Sequence, residues 1–404
     1  MRLCNWYAGI DINSHAIVAA FGSSTDGQRP RVHGTVAFDL PHGSVTDLSR
    51  PVHQLADWLR RESGGNLDAV ALSVPGNAIH EMPSAGEIRF AVPTMIDTQL
   101  IEAARQKALY GPERLGMVLC STIRCFEFDG YRTSSPPLGK YATSLRVEIV
   151  AWVARSRYVD QVVDALAEAR FQLGLATPRV VAIAESVLAR NERDGGAIVI
   201  QVNDDFTEVA TFAAGQLADL WTIPLGKVAL ETQLARACGI SVGLVRQLDL
   251  KRIVESNLED PVVHRVRTVL SAWGLSLFRA VRQRMEAGDL TWHVQSGVVI
   301  ADSAESLPLL DQFGSRVMGT RVRFALAPFA TAMRNQPRGE SRAASGLIPL
   351  QWKTNGGLRD QSEMPLPAVT SDLDVPVSRA LERSGIAPFI GRWLREFVPS
   401  DHSL

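Results

Sequence analysis

Apolar and polar positions begin to alternate within the first ten residues. The stretch "YAGIDINSHAIVAAFG", residues 7–22, predicts a strand, a tight turn at Asp11–Ser14 and a second strand, and residues 31–40 predict a third. The period then changes. In "VTDLSRPVHQLADWLRRESG" the residues Leu48, Val52, Leu55 and Leu59 fall on one face at helical spacing, and a Gly-Gly pair stops the run. "DAVALSVPG", residues 68–76, returns to a strand. Residues 77 to about 178 break this rhythm with short strands, the loop "GYRTSSPPLGKY", the alternating "LRVEIVAWVA" and a helix from Arg157 to Leu173. They read as an inserted module, a separate lobe beside the first domain whose helix packs Val159, Val162, Val163 and Leu166 on the module's own sheet.

The opening plan restarts at Ala197. "AIVIQVN", "FTEVATFAAG" and "QLADLWTIPLG" predict three strands and "VALETQLARACG" a helix, an internal duplication visible as pattern more than as identity. A helical region over about 243–287 leads to strands in "SGVVIADSAE" and "TRVRFALAP", then to a helix near Arg342–Leu350. Residues 354–384 are polar and net acidic, with Pro365, Pro367 and Pro376 and no periodicity, the composition of a disordered linker.

Periodicity returns in "GIAPFIGRWLREF". Ile386, Phe389, Ile390, Trp393, Leu394 and Phe397 stand at i, i+3, i+4, i+7, i+8 and i+11, one apolar stripe, with Arg392 and Arg395 opposite. Bulky apolar groups on one face and guanidinium groups on the other suit a membrane interface, the cations lying among anionic headgroups. The plainer alternative is a stripe docked on the protein's own core, but such a helix seldom needs a long tether before it.

Bulk chemistry narrows the function classes. At 404 residues, 46% of them apolar and 21% charged, the chain has the make-up of a globular protein of two or more domains. A net charge of −1 argues against a nucleic-acid partner. Four scattered cysteines make no disulfide framework, and eight histidines without an HxH or HExxH pair make a metal site improbable. "MRLCNWYAGIDI" enters a strand without a long apolar run, and no stretch of apolar residues reaches spanning length, so the expected location is cytoplasmic.

Six stretches, in order, resemble the bacterial division family FtsA. They are "GIDINSHAI" at its first phosphate position, "SVPGNAIHEMPSAGEIRF" entering the inserted subdomain, "PPLGKYATSLRVEIVAWVAR" within it, "IVIQVNDDFTEVATFAAGQL" at its second phosphate position, "SGVVIADSAESLPLLDQF" at its adenosine position and "IGRWLREF" at its membrane-targeting end. The resemblance implies an α/β, actin-like (ribonuclease H-like) two-domain ATPase fold with an inserted SHS2-type subdomain and a C-terminal amphipathic helix. On that plan residues 1–76 and 179–196 form the first domain and 77–178 the SHS2-like subdomain. Residues 197–353 form the second domain, with a shortened helical subdomain at about 239–285, and 354–384 and 385–398 form the linker and the membrane-targeting helix.

It further implies ATP with Mg²⁺ as cofactor, and Asp11, Asn13, Ser14, Asn203, Asp204, Asp205, Gly226, Ala301 and Asp302 as the nucleotide-binding positions. It implies a peripheral place on the cytoplasmic face of the inner membrane, self-association through the inserted subdomain, and FtsZ or other division proteins as partners. The membrane contacts are Ile386, Phe389, Ile390, Arg392, Trp393, Leu394, Arg395 and Phe397.

The departures from the family pattern are chemical. The family's first loop runs Asp-aliphatic-Gly before two hydroxyl residues; here it is Asp11, Ile12, Asn13, Ser14, His15. Its second loop runs Asp-aliphatic-Gly-Gly-Gly-Thr; here it is Gln201, Val202, Asn203, Asp204, Asp205, Phe206. Ala301 and Asp302 replace the Gly-Gly of the adenosine loop. Phosphate loops use glycine so that backbone N–H groups approach the oxygens. A carboxylate set ~5 Å from a phosphate instead costs on the order of 3 kcal/mol at an effective dielectric of ~20. The expectation is a weak or inactive ATPase with no catalytic residue and no metal site. The region from Gly239 to Met285 lacks the strands of the family's FtsZ-docking subdomain. Two rival readings share the superfold: a PilM-like pilus-assembly scaffold and an actin-superfamily kinase.

Overall fold

The computed structural model describes residues 4–12, 16–25, 30–40, 48–65, 67, 69–154, 157–256, 260–288, 294–301, 306–325 and 341–354. The opening alternation folds as β1 (Cys4–Ile12), β2 (Ala16–Thr25) and β3 (Arg31–Asp39), an antiparallel meander in which Ile12 faces Ile17 and Ile17 faces Phe38. Helix α1 (Ser49–Glu62) crosses the sheet and returns the chain as β4 (Ala69–Val74), parallel to β1. Val52, Leu55 and Leu59 of α1 are fully buried against Ile10, Ile12 and Leu72, which is the stripe that the helical spacing marks out.

After a 3₁₀ turn at Gly76–Ala78 comes a four-stranded antiparallel sheet. Its elements are β5 (Ile79–Met95), α2 (Thr98–Glu113), β6 (Met117–Phe128), β7 (Tyr131–Thr133) and β8 (Tyr141–Ala154), in strand order β5-β8-β6-β7. Alternation along β8 sends Leu145, Val147, Ile149, Ala151 and Val153 to one face, where Ile101, Ala104 and Ala108 of α2 cover them. Val150 and Trp152 point the other way.

Two expectations fail at the end of this segment. The helix expected to Leu173 is α3 (Arg157–Glu168), because Arg170 takes a left-handed φ of 59° and reverses the chain. The residues that follow form β9 (Gln172–Pro178), parallel to β4, and complete a five-stranded sheet of order β3-β2-β1-β4-β9. Nor does α3 pack wholly on the inserted sheet. Val162, Ala165 and Leu166 are buried with Ile10, Leu55 and Leu59, in the core of the first sheet. Val159 and Val163 do meet the insert, packing with Ala154, Met117 and Leu119 at its base. The physical reason is the return strand: β9 must pair with β4, so the helix feeding it lies on that sheet's face.

Helices α4 (Arg179–Val187) and α5 (Arg190–Asp194) lead to the second sheet, β10 (Ala197–Val202), β11 (Thr207–Ala213) and β12 (Gln216–Ile223), followed by α6 (Lys227–Cys238). Helices α7 (Val242–Val245), α8 (Leu250–Glu255) and α9 (Pro261–Ala287) precede β13 (Val298–Ile300), α10 (Leu310–Met318), β14 (Val322–Phe324) and α11 (Ser341–Thr354). The order β12-β11-β10-β13-β14 repeats that of the first sheet, with β10 antiparallel to β11 and parallel to β13. The duplication that the pattern suggests is therefore present in the topology. Among the described residues between Gly239 and Met285 the regular elements are the helices α7, α8 and α9, in line with the nearly all-helical spacing.

Helices α4 and α11 join the two sheets. Val180, Ala182, Ile183 and Val187 are buried with Ala71 of the first sheet, with Val199, Ala210 and Val299 of the second, and with Ala343 and Leu347 of α11. The insert joins the same cluster, since Val150 and Trp152 pack there with Phe212 and Leu220. The expected separate lobe is thus a lobe sharing its core with β11 and β12. No helix among the described residues is long and apolar enough to cross a membrane. The expected linker and the tail residues Ile386, Phe389, Ile390, Arg392, Trp393, Leu394, Arg395 and Phe397 lie outside the described residues.

Candidate functional site

The ends of β1, β4 and β9 meet where the first phosphate position is expected. Asp11 stands opposite Val18 of β2 and beside Ser73 of β4, with its carboxylate buried. Ser73 Oγ donates to Asp11 Oδ1. Arg179, the first residue of α4, reaches the same oxygen with Nε at 2.8 Å and donates from Nη2 to the Ile12 carbonyl at 2.7 Å. The two side chains are 8% and 4% exposed, so this is a desolvated ion pair that is also hydrogen-bonded. Such a pair is expensive to bury and more expensive to break, because removing one partner strands the other charge.

Across from it, the second sheet contributes Glu208 of β11, which has no exposed surface. Its Oε1 accepts the backbone N–H of Gly76, from the turn that opens the insert. Glycine is required at that turn. A Cβ there would stand 2.6 Å from Thr222 Cγ2 and 3.0 Å from the Glu208 side chain. Burial pushes the Glu208 carboxyl above the usual carboxylate range. The Arg179 charge, the Gly76 N–H and the Asn203 amide act against that, and Asp11 adds to it. Asp11, Arg179, Glu208 and Asn203 therefore form one electrostatic cluster.

The β10–β11 turn holds the other second-loop positions. Asn203 N–H donates to Phe206 O at 2.9 Å and closes the turn. The N-terminus of α6, where a helix offers N–H groups to an anion, is turned onto it instead. Lys227 N–H donates to Asn203 O and Val228 N–H to Asp204 O, both at 2.9 Å. Gly226 allows this contact, since a Cβ would meet Asp204 O at 2.2 Å. Asp204 is half-buried and Asp205 exposed. Arg246, ion-paired to Glu231 at 2.8 Å, also feels the Asp204 charge. Gln201 donates from Nε2 to Val202 O at 3.2 Å, a contact within its own strand.

At the expected adenosine position Ala301 is buried in the cluster around α4, and its N–H continues the ladder to Ile200 O at 2.8 Å. The structure thus brings Asp11 and Asn203 into one cluster, and sets Asp204, Asp205 and Gly226 around the start of α6. Asn13, Ser14 and Asp302 lie outside the described residues. Sequence reading missed Arg179, Glu208, Ser73 and Gly76. A signal existed for two of them. Arg179 opens the apolar run "RVVAIA", and Glu208 interrupts the apolar alternation of "FTEVATFA"; a charge there is buried or spoils its element.

A magnesium nucleotide, which the fold family implies, does not fit the described side chains at the ends of β1 and β10 as they are paired here. The carboxylate at the end of β1 is committed to Arg179, and the first two amides of α6 to backbone carbonyls.

No family model matches the chain. It is 20% identical over 398 residues to the cell division protein FtsA of Streptococcus pneumoniae, covering 89% of this chain and 84% of that one. Among solved structures it is similar to the PilM-PilN type IV pilus biogenesis complex, with a TM-score of 0.55, 15% identity, and coverage of 86% of this chain and 98% of that one. MreB5 of Spiroplasma citri, solved bound to ADP, aligns with a TM-score of 0.49 at 9% identity over 88% of this chain and 99% of its own. Likeness at this identity speaks to fold alone. The chain has the actin-like, two-domain α/β fold.

Proposed function

We propose that this protein is an FtsA-like division scaffold that neither holds nor turns over nucleotide. It lies on the cytoplasmic face of the inner membrane, attached through residues 385–398, and links FtsZ filaments or other division proteins to the lipid surface. The division reading rests on sequence similarity to FtsA along most of the chain. The pilus-scaffold alternative rests on fold alone.

The observation that carries the non-catalytic part is the Asp11–Arg179 pair. A nucleotide entering between the sheets would have to pull the Arg179 guanidinium off its carboxylate. It would also bring its phosphates toward Asp204, Asp205 and the buried Glu208. Each step costs free energy, and the glycines that would supply compensating N–H contacts are absent from the second loop. The kinase alternative needs a free carboxylate at the same place and meets the same obstacle.

For the tail, burial of six large apolar side chains at roughly 25 cal/mol per Å² gives several kcal/mol before ordering costs. Arg392 and Arg395 add about 1 kcal/mol each near an anionic leaflet. Such an anchor is reversible singly and firm when several copies act together. Calorimetric titration with ATP and Mg²⁺ is expected to show no binding at micromolar concentrations. Sedimentation with phosphatidylglycerol vesicles is expected for the wild type and lost in Trp393→Glu with an unchanged Tm. Micromolar nucleotide binding overturns the non-catalytic reading. A Trp393→Glu variant that melts early yet still sediments overturns the tether.

A further inference from the structure

The inserted lobe touches both halves of the molecule, and the contacts on the second half are of an unusual kind. At its base Val74, Ala78 and Ala154 are buried with Val159 of α3, which anchors the lobe on the first sheet. On its other side the lobe meets β12 through a buried carboxylate. Asp219 is 2% exposed, yet both its oxygens are charge-paired. Oδ1 takes Arg124 Nη2 of the lobe strand β6 at 3.0 Å, and Oδ2 takes Arg284 Nε of α9 at 3.1 Å. Arg284 then reaches back to the lobe, to Glu81 of β5 at 2.8 Å, and its guanidinium lies 5.9 Å from the centre of the Trp221 ring.

Two further bonds run alongside. Trp152 Nε1 of β8 donates to Leu220 O at 3.0 Å, and Gly76 N–H donates to Glu208. The Arg124, Trp152 and Gly76 contacts join the lobe or its entry turn to the second sheet, and Arg284 ties the lobe's Glu81 to α9 and to the same Asp219. A rotation opening the cleft between the sheets would have to break this set together, since the lobe spans both sides.

Two domains joined by a cleft normally move against each other, and a ligand between them sets the angle. Here the molecule supplies the cross-link itself. We propose that the lobe is a built-in clasp, in which Asp219, held between Arg124 and Arg284, fixes the angle between the two sheets without any ligand in the cleft. The Asp219 contacts at the centre of the clasp are distinct from the Asp11–Arg179 pair. The molecule therefore offers its partners one surface at all times, and assembly is governed by its concentration and by the membrane.

The test reads distance rather than activity. Spin labels are placed at Gln54 on α1 and Gln233 on α6, both exposed, through an encoded ketone amino acid that leaves the native cysteines untouched. Without nucleotide, the wild type is expected to give one narrow distance distribution by pulsed electron paramagnetic resonance. Arg124→Gln, at a residue one-third exposed, and Asp219→Asn are expected to broaden it and add a longer-distance component. Arg89→Gln, on an exposed lobe pair, is expected to leave it unchanged. A broad or two-peaked wild-type distribution overturns the clasp, as does a wild-type distribution in Arg124→Gln. Should Asp219→Asn not fold, Arg124→Gln alone decides. Nucleotide is absent throughout, so failure here is separate from failure of the non-catalytic reading.

Discussion

Arg179 is the side chain on which the proposed loss of chemistry turns. A buried guanidinium that donates to a carboxylate and a carbonyl depends on both partners staying in place. Arg179→Met should leave Asp11 buried without its cationic partner and held by Ser73 only on one side, at a cost of about 3–5 kcal/mol in denaturant unfolding. Adding Asp11→Asn should recover part of that loss, because the stranded charge is gone, and the double-mutant cycle measures how much. Glu208 gives a second prediction with a definite sign. Its carboxyl is raised above the ordinary value of 4.5 by burial, so the folded state binds the proton more tightly than the unfolded chain does. Stability contributed by this group is therefore full below that value and falls as pH rises from it toward the folded pKa. Glu208→Gln, which can still accept from Gly76, should show a Tm advantage over the wild type that grows from pH 4.5 upward; a difference flat in pH contradicts the assignment. The sequence marks each residue only as a charge in or beside an apolar run, without its partner. Which partner meets it is set by contacts 168 and 132 positions away in the chain.

The helices that join the sheets impose their own limits. Helix α11 crosses α4 so closely that a Cβ on Gly346 would lie 1.7 Å from Ala182 O, and a Cβ on Gly9 of β1 would lie 2.2 Å from Ala344 O. Small residues at Ala343, Ala344 and Gly346 are what let a helix lie against both another helix and a sheet. Gly346→Ala would gain roughly 1 kcal/mol of helix propensity. The added methyl meets backbone that no rotamer change can move aside, and overpacking of this kind costs about 1–3 kcal/mol. A lowered Tm is the expected outcome; a raised one would mean α11 can shift away from α4. The pattern gave α1, α6, α9 and α11, each with a one-sided apolar stripe or a glycine stop. It did not give α2 or α4, and it ran α3 into β9. Helix α4 is buried nearly all round, and such a segment has no stripe to read.

The molecule as a whole has one consequence for its unfolding. Because Trp152 of the lobe and Leu220 of the second sheet share a core and a hydrogen bond, lobe and sheet should open together. Amide exchange of β8 and β12 should give a single opening free energy. A lower value confined to β8 would mean that the lobe unfolds on its own. The meanders, the repeated plan and the helical region after Gly239 are written locally, in periodicity and in residue type, and so could be read from the chain alone. The partners of Arg179, the use of the α6 amides by the 203–204 turn, and the packing of the lobe on β11 and β12 are different. They depend on which surfaces meet after the chain has folded back over more than a hundred residues. Side-chain period reports only that a face is buried; what buries it is settled by packing.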